Sequence, residues 1–334
     1  MTTVAFLPLE TLGTAQAISA NWRDRYLPLW QSMQSGVLTT ADKLQLRYYC
    51  HRSEHAQQAI VISPGRMELA LKYAELSFEL VQSGYSVYIL DHRGQGLSQR
   101  ELRNPHKGYV SSFQQYQQDL AHFIDHVVVP AGHKRHIALG HSMGCAILAG
   151  YMQSHPHPFN AAILASPMLG IYTGLVPYRL ALSLAVAFGA INRTCSAEPW
   201  YFPGQGNYAE KAFEHNPLTS CAERFQWLMQ LYRDNPEAQL GGVTTSWINA
   251  AIHAMAHIQS QAQHWQTPLL LLQASADKVV SNHAQNLWFA RLPDSVLKQK
   301  VALAEARHEI FMESDNIRQQ AFNAINQFLQ QLPT

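Results

Sequence analysis

A serine between two glycines is the residue whose type and spacing best suit covalent chemistry. The segment Gly140-His-Ser-Met-Gly144 fits the pattern G-x-S-x-G, with Ser142 at its centre. In that pattern the serine occupies a sharp strand-to-helix turn, and glycines are needed because side chains would collide with the strand and the helix. A hydroxyl exposed there can attack a carbonyl carbon, with the helix N-terminus directed at the developing negative charge.

A serine hydroxyl is a weak nucleophile, so a base and an orienting carboxylate must lie elsewhere in the chain. In this type of site they follow the serine, acid first and histidine second, at the ends of later strands. Asp277 fits the acid because it follows the apolar run Pro268–Leu272, and His308 fits the base because it follows the last candidate strand. The alternatives are a carboxylate that caps a helix and a packing histidine, one of 17 in the chain.

Two backbone N–H groups are expected to bind the negative oxygen that forms when a carbonyl is attacked. One belongs to Met143, which follows the nucleophile, and the other comes from the loop after the third strand. That loop is Ser63-Pro-Gly-Arg-Met67, in which Gly65 permits a close approach and the N–H of Arg66 is the candidate donor. A plain Pro-Gly turn is the alternative for the same residues.

Short apolar runs alternate with helical stretches and place these residues in an α/β fold. The runs are typical of strands buried on both faces, which predicts a mostly parallel central sheet flanked by helices. Apolar and polar residues alternate on both sides of residues 41–43, which predicts an antiparallel hairpin ahead of the buried strands. A helix is predicted over about residues 315–332, at the end of the chain. The predicted strands after the hairpin are Ala59–Ile62, Ser86–Leu90, His136–Leu139, Ala161–Leu164, Pro268–Leu272 and Ser295–Ala302.

The strand pattern is interrupted in the second half of the chain. Residues 168–266 contain helical patterns and no convincing strand, and the strand pattern resumes at Thr267. We therefore predict an α/β core of residues 1–167 and 267–334, with residues 168–266 as a mainly helical insertion over one end of the sheet.

An apolar pattern inside the insertion offers a surface for a fatty chain. Its residues recur at helical intervals, and the apolar stretch around them is shorter than the roughly 20 residues that span a bilayer. This predicts a buried or interfacial helix, with core packing as the alternative explanation of the pattern. The candidate substrate-binding residues are Met67, Leu175, Leu180, Leu184 and Phe188.

Composition and charge exclude several classes of protein. With 47% hydrophobic and 14% charged residues the chain is not disordered, and a net charge of +1 without a basic run predicts no nucleic-acid partner. Its four cysteines form no CxxC pair, and His253 and His257 share a helix face without the glutamate of a zinc hydrolase, so no metal is predicted. The first residues lack a basic signal-peptide region, which predicts a cytoplasmic protein.

With these residues assembled, the chain resembles the α/β-hydrolase superfamily, in its monoglyceride-lipase and lysophospholipase branch. The resemblance implies a triad of Ser142, Asp277 and His308, a lid domain formed by the insertion, and no cofactor. Many relatives carry His-Gly where this chain has Pro64-Gly65, although Pro-Gly-Arg suits the bacterial lysophospholipases. The matching stretches are Pro64-Gly-Arg66, Lys72-Tyr-Ala-Glu-Leu76, Asp91-His-Arg-Gly-Gln-Gly96, Asn104-Pro-His-Lys-Gly-Tyr109, His141-Ser-Met-Gly144, Leu269-Leu-Leu-Leu-Gln273 and His308-Glu309.

The function that this resemblance implies is hydrolysis of the acyl ester of a lysophospholipid to a fatty acid and a glycerophosphodiester, through an acyl-enzyme intermediate. The alternatives are a monoacylglycerol lipase, a general carboxylesterase and, from another class, a non-catalytic lipid-binding protein, which would not need all three triad residues. Arg66 or Arg307 is the candidate contact for a phosphate head group. The apolar lid helix predicts peripheral contact with the cytoplasmic face of the inner membrane.

Overall fold

The structure is a computed structural model that describes residues 6–174 and 176–333. The described residues form one sheet, whose strands are β1 (Gln34–Thr39), β2 (Gln45–His51), β3 (Gln58–Ser63), β4 (Ser86–Leu90), β5 (Arg135–His141), β6 (Phe159–Ala165), β7 (Leu269–Ala274) and β8 (Lys298–Leu303). The α-helices are α1 (Ile18–Asn21), α2 (Leu27–Ser32), α3 (Ala74–Gln82), α4 (Phe113–Phe123), α5 (Met143–Ser154), α6 (Tyr178–Cys195), α7 (Ala222–Asp234), α8 (Thr245–Ser260), α9 (Asn282–Ala290) and α10 (Asp315–Gln330).

The sheet has eight strands within the described residues, in the order β1-β2-β4-β3-β5-β6-β7-β8. β1 and β2 form the predicted antiparallel hairpin, and β2 pairs with β4 in the antiparallel sense. Every further pair, from β4 across to β8, is parallel. The expectation of a mostly parallel sheet flanked by helices is therefore confirmed. β8 begins later than predicted because a turn closed by Val296 N–H and the Pro293 carbonyl precedes it.

The central strands are largely apolar because helices cover both faces of the sheet. On β3, Ala59 and Val61 belong to the core that includes residues of α4, α5 and α8. Ile60 and Ile62 point to the opposite face, into the core that includes residues of α3 and α10. Because the parallel strands run in one direction, the loops that follow β3, β5, β7 and β8 leave the same edge of the sheet.

The described part of residues 168–266 contains the helices α6, α7 and α8 and no strand longer than an isolated bridge. α8 packs against both α5 and α6, so this segment lies against the core helix that follows Ser142. The domain boundaries at residues 168 and 266 stay a prediction. None of the described helices is long and apolar enough to cross a lipid bilayer.

A buried ion cluster fastens α7 to the core. Arg224 on α7 donates two hydrogen bonds of 2.9 Å to the carboxylate of Glu75 on α3, and its guanidinium lies 2.8 Å from Asp315 on α10. Arg318 on α10 pairs with the same Glu75 at 3.1 Å and with Glu79 at 2.6 Å. Removing one member leaves a buried charge without a partner, and breaking a buried pair in this way is strongly destabilising.

We predict that Arg224→Ala lowers the free energy of unfolding by about 3–5 kcal/mol, because Glu75 then keeps a buried charge with fewer partners. Urea denaturation measures the change. The control is Arg233→Ala on the same helix, whose half-exposed pair with Glu210 is worth less than about 1 kcal/mol. Equal losses in the two variants would contradict the role given to the buried cluster.

Candidate active site

Ser142 occupies the turn between β5 and α5 in a strained backbone conformation. Its φ is 52° and its ψ is −114°, in the positive-φ region that residues other than glycine rarely adopt. The flanking glycines leave room for this turn. A Cβ on Gly144 would overlap the carbonyl of Ser63 in the loop after β3, and a Cβ on Gly140 would lie 3.0 Å from the backbone nitrogen of Cys145.

The structure brings Ser142, His308 and Asp277 together in one hydrogen-bonded line. The Nε2 atom of His308 lies 2.8 Å from the Ser142 hydroxyl oxygen, although the two residues are 166 positions apart. Its Nδ1 atom lies 2.8 Å from Oδ2 of Asp277. A carboxylate only accepts, so Nδ1 carries the proton and Nε2 is left to accept from the serine. All three side chains are buried.

The second carboxylate oxygen of Asp277 accepts backbone hydrogen bonds from Val279 at 2.7 Å and Val280 at 3.0 Å. Burial would raise the pKa of this carboxyl, but the hydrogen bonds from His308 and from the two backbone N–H groups lower it, as does the positive charge of His308 when that ring is protonated. Asp277 is therefore ionised at neutral pH. It orients the imidazole with one oxygen while the other caps the following turn.

The two candidate oxyanion donors lie on segments that meet at the turn of residues 140–144, which carries Ser142 and is called the elbow below. Met143 is the first residue of α5, so its N–H has no acceptor within the helix. The loop after β3 touches the start of α5, because a Cβ on Gly144 would also come within 2.6 Å of the Pro64 carbonyl. Gly65 N–H already donates to Glu68, which leaves the N–H of Arg66 as the next donor along the loop. The assignment of Met143 and Arg66 stays a prediction.

The guanidinium groups of Arg66 and Arg307 are engaged by backbone carbonyls. Arg66 donates to Gly241 at 2.9 and 3.1 Å and lies over the Trp247 ring, and burial lowers its pKa to about 10. Arg307 donates to the carbonyls of Asn216 and Thr219, both at 3.1 Å. The structure therefore gives no support to a phosphate contact by either side chain.

The candidate acyl-binding residues are only partly brought together. Leu184 lines an apolar cavity although 59% of its side chain is exposed, Leu180 is 52% exposed and does not line the cavity, and Phe188 packs against Trp200 and Phe202. Met67 lies in the loop after β3 with a positive φ of 65° and is also outside that cavity. Leu175 lies outside the described residues. Helical spacing alone could not show which of these residues meet the cavity.

The apolar cavity has a volume of about 360 Å³ and lies between α6, α8 and the segment after β6. That segment starts beside the nucleophile, because Met168 N–H donates to the carbonyl of Ser142 at 3.1 Å. Ile171, which lines the cavity, pairs with Val280 in the loop that carries Asp277. One wall of the cavity is therefore formed by a segment that begins beside Ser142 and pairs with the loop of Asp277.

One group among the described residues has the donor spacing of a metal site. Donor atoms of Glu68, His141 and Glu309 lie within 4.8 Å of one another. The ammonium of Lys72 contacts both carboxylates, so a cation of the chain already balances their charge. We therefore do not assign a metal to this group.

Comparison with known proteins decides the family. Residues 54–315 match the Hydrolase_4 family, described as serine aminopeptidase, S33. The chain belongs to this α/β-hydrolase family. The resemblance found in the sequence is thereby confirmed.

Relatives of this α/β-hydrolase match over most of its length. Lysophospholipase L2 of Escherichia coli is 34% identical over 306 residues, which cover 90% of this chain and 88% of that protein. A probable lysophospholipase L2 of Haemophilus influenzae is 31% identical over 287 residues, covering 86% and 88%. The solved structure of a soluble variant of monoglyceride lipase from Saccharomyces cerevisiae, in complex with a substrate analogue, aligns with a TM-score of 0.69 at 16% identity. It covers 90% of this chain and 97% of that one, and this likeness shows the fold alone.

Sequence reasoning on this α/β-hydrolase missed a second set of polar residues beside the triad. Glu68 and Gln95 are buried and hydrogen-bond to Gly65 in the loop after β3, and Lys72 is buried in contact with Glu68. The only signal was their presence in the stretches quoted for the resemblance or next to them. Their partners lie on loops and strands distant in the chain, which no local pattern shows.

We predict that Gly144→Ala lowers the free energy of unfolding by about 1–3 kcal/mol or more, because the new methyl group overlaps backbone carbonyls that cannot move aside. Urea denaturation checks it. Gly206→Ala is the control, since a Cβ there meets nothing within 4 Å and its φ is ordinary. Equal stability of the two variants would contradict the close packing of Gly144 against the loop after β3.

Proposed function

We propose that this protein is a serine hydrolase that cleaves the acyl ester of lysophospholipids to a free fatty acid and a glycerophosphodiester. The observation that carries the proposal is the line from Ser142 through His308 to Asp277, in a chain that is 34% identical to a lysophospholipase. An activated alcohol beside an apolar cavity suits an ester whose acyl part is a hydrocarbon chain.

Acylation begins when the Ser142 oxygen attacks the ester carbonyl carbon and its proton passes to Nε2 of His308. The imidazolium that forms is stabilised by the ionised Asp277. When the tetrahedral intermediate collapses, the bond to the alcohol oxygen breaks and His308 returns the proton to the departing alcohol. The acyl group is then esterified to the serine, and the glycerophosphodiester leaves.

Deacylation repeats these steps with water in place of the serine. The water oxygen attacks the acyl carbon while His308 takes a proton from the water. His308 then gives that proton to the departing Ser142 oxygen. In both halves the N–H groups of Met143 and Arg66 donate to the negative oxygen. Removal of one such donor typically costs about 10²–10³ in kcat.

The acyl chain is proposed to occupy the cavity between α6 and α8. Its lining includes Ile171, Val176, Leu184 and Phe202, and it is closed on the core side by α8 residues such as Ile252. A volume of about 360 Å³ lies at the small end of the roughly 300–1,000 Å³ of ligand pockets, which suits one hydrocarbon chain better than two. This supports a substrate with a single acyl chain.

A monoacylglycerol lipase, or a carboxylesterase for smaller esters, is the second candidate. The engagement of Arg66 and Arg307 by backbone carbonyls favours it, because neither guanidinium group is then free for a phosphate head group. We prefer a lysophospholipid because the relatives above 30% identity are named lysophospholipases and align over most of their own length.

Peripheral contact with a membrane is part of the proposal. α6 exposes apolar side chains along much of its length, including Leu180, Leu184, Val186 and Ile191, each more than 40% exposed. Arg179 and Arg193 near its two ends are also exposed and suit anionic lipid head groups. A helix of this kind lies in the membrane interface and brings the adjoining cavity to its substrate. Cytoplasmic residence at the inner membrane stays a prediction.

We predict that Ser142→Ala lowers hydrolysis of lysophosphatidylethanolamine by at least about 10⁴-fold, because the attacking oxygen is lost. Release of fatty acid, measured beside a monoacylglycerol of the same chain length, gives the activity and the head-group preference. Ser154→Ala, at the far end of α5, is the control and keeps full activity. A wild-type enzyme that hydrolyses neither ester, or a Ser142→Ala variant that remains active, contradicts the proposal.

The membrane contact is tested by flotation with phosphatidylglycerol vesicles. We expect Val186→Glu combined with Ile191→Glu to lower the bound fraction at least about tenfold, because two apolar side chains no longer enter the interface. Val129→Glu, at an equally exposed apolar residue after α4, serves as the control and leaves binding unchanged. Equal binding by wild type and the α6 variant would show that this helix is not the contact.

A further inference from the structure

A buried cluster of polar residues lies beside the triad, and the hydrolytic steps above do not use it. It contains Glu68, Lys72, His141 and Glu309, all buried, and Gln95 lies close to it in the loop after β4. The cluster touches three loops at once: the loop after β3, the elbow and the loop that carries His308.

The first contacts of the cluster are with the two peptide groups on either side of Gly65: Glu68 holds the N–H of the Pro64–Gly65 peptide, and Gln95 holds the C=O of the Gly65–Arg66 peptide. Gly65 N–H donates to Oε2 of Glu68 at 2.6 Å, and the Gln95 amide donates to the carbonyl of Gly65 at 2.7 Å. A peptide group is planar, and in the trans form its C=O and N–H point in opposite directions. The described residues contain no cis peptide. By holding the Gly65 oxygen, Gln95 therefore also fixes the direction of the Arg66 N–H.

The second contact links the loop after β3 to the loop of His308, the candidate base. Nδ1 of His141 lies 2.6 Å from Oε1 of Glu68, and Nε2 lies 3.1 Å from the backbone carbonyl of His308. Both partners only accept hydrogen bonds, so both ring nitrogens must donate and the ring is an imidazolium. Its ring centre is 4.9 Å from that of His308, so the bridge is short.

The charges that face His141 agree with this protonation state. Burial would lower the pKa of His141, but the carboxylates of Glu309 and Glu68 raise it, against the opposing charge of Lys72. Lys72 pairs with both carboxylates, and the Tyr73 hydroxyl donates to Glu68. Two positive and two negative groups thus balance within the buried cluster, and breaking this balance is costly.

We propose that Gln95 and Glu68 are positioning residues that hold the Arg66 N–H toward the reacting oxygen, and that the imidazolium of His141 ties them to the loop of His308. This inference rests on the proposed hydrolase function. It goes beyond that function by making one cluster set the geometry of both the oxyanion donor and the general base.

The positioning role is tested with Gln95→Glu, whose carboxylate cannot donate to the Gly65 carbonyl and repels it. We expect kcat on the preferred ester to fall about 10- to 100-fold while KM changes less than threefold, because the lost interaction acts mainly in the transition state. The inhibition constant of a trifluoromethyl ketone, which binds as a tetrahedral oxyanion, should rise by the same factor. Gln95→Met, which has similar size and no donor, provides a second variant if Gln95→Glu does not fold.

The control for this test is Gln153→Glu. Gln153 also donates to a backbone carbonyl, that of Ile258, but at the far end of α5. The Gln153→Glu variant should have the kcat and the affinity for the ketone of the wild-type protein. Retention of both by Gln95→Glu or Gln95→Met, or a loss that appears in KM alone, would overturn the positioning role.

The charge of His141 is tested without any turnover, by ¹⁵N NMR of the histidine side chains in Ser142→Ala protein. We expect both ring nitrogens of His141 to remain protonated at pH 8, where an ordinary histidine is neutral, and Glu68→Gln to abolish this state. A ring that loses one proton below pH 7 would overturn the imidazolium bridge. If the wild-type protein hydrolyses no ester, the proposed function fails, while this spectrum still decides the charge of the cluster.

Discussion

The contact between Nε2 of His308 and the hydroxyl of Ser142 joins two loops that are 166 residues apart in the chain. Its length of 2.8 Å requires both loops to leave the same edge of the sheet and to be held there. The parallel strands supply the common edge, and the glycines around Ser142 supply the close packing. Loss of either would separate the base from the nucleophile, so the chemistry depends on the register of the whole sheet.

Much of the fold is readable from the sequence because its causes are local. Apolar runs such as Ala59–Ile62 and Ser86–Leu90 have to be buried on both faces, and this requirement gives their position within a residue or two. The geometry of Ser142, Asp277 and His308 was anticipated for a related reason. Each lies in the loop that follows a parallel strand, and strand ends at one edge bring distant residues together.

The rest of the site depends on contacts that no local pattern contains. The sequence pattern predicts that Gln95 belongs to a tight turn, but its amide donates to the carbonyl of Gly65, 30 residues away in the chain. His141 reads as a neighbour of the nucleophile, yet its ring bridges Glu68 and the backbone of His308. The side chains of α6 show the same limit. Helical spacing grouped Leu180 with Leu184, but only tertiary packing decides which of them meets the cavity.

The most direct measurement of the central claim is labelling with a fluorophosphonate, which reacts with an activated serine, followed by peptide mapping. We expect one modified peptide, the one that contains Ser142, with the rate of labelling strongly reduced in His308→Ala and labelling absent in Ser142→Ala. Wild-type protein that does not label, or Ser142→Ala protein that labels equally, would contradict the account.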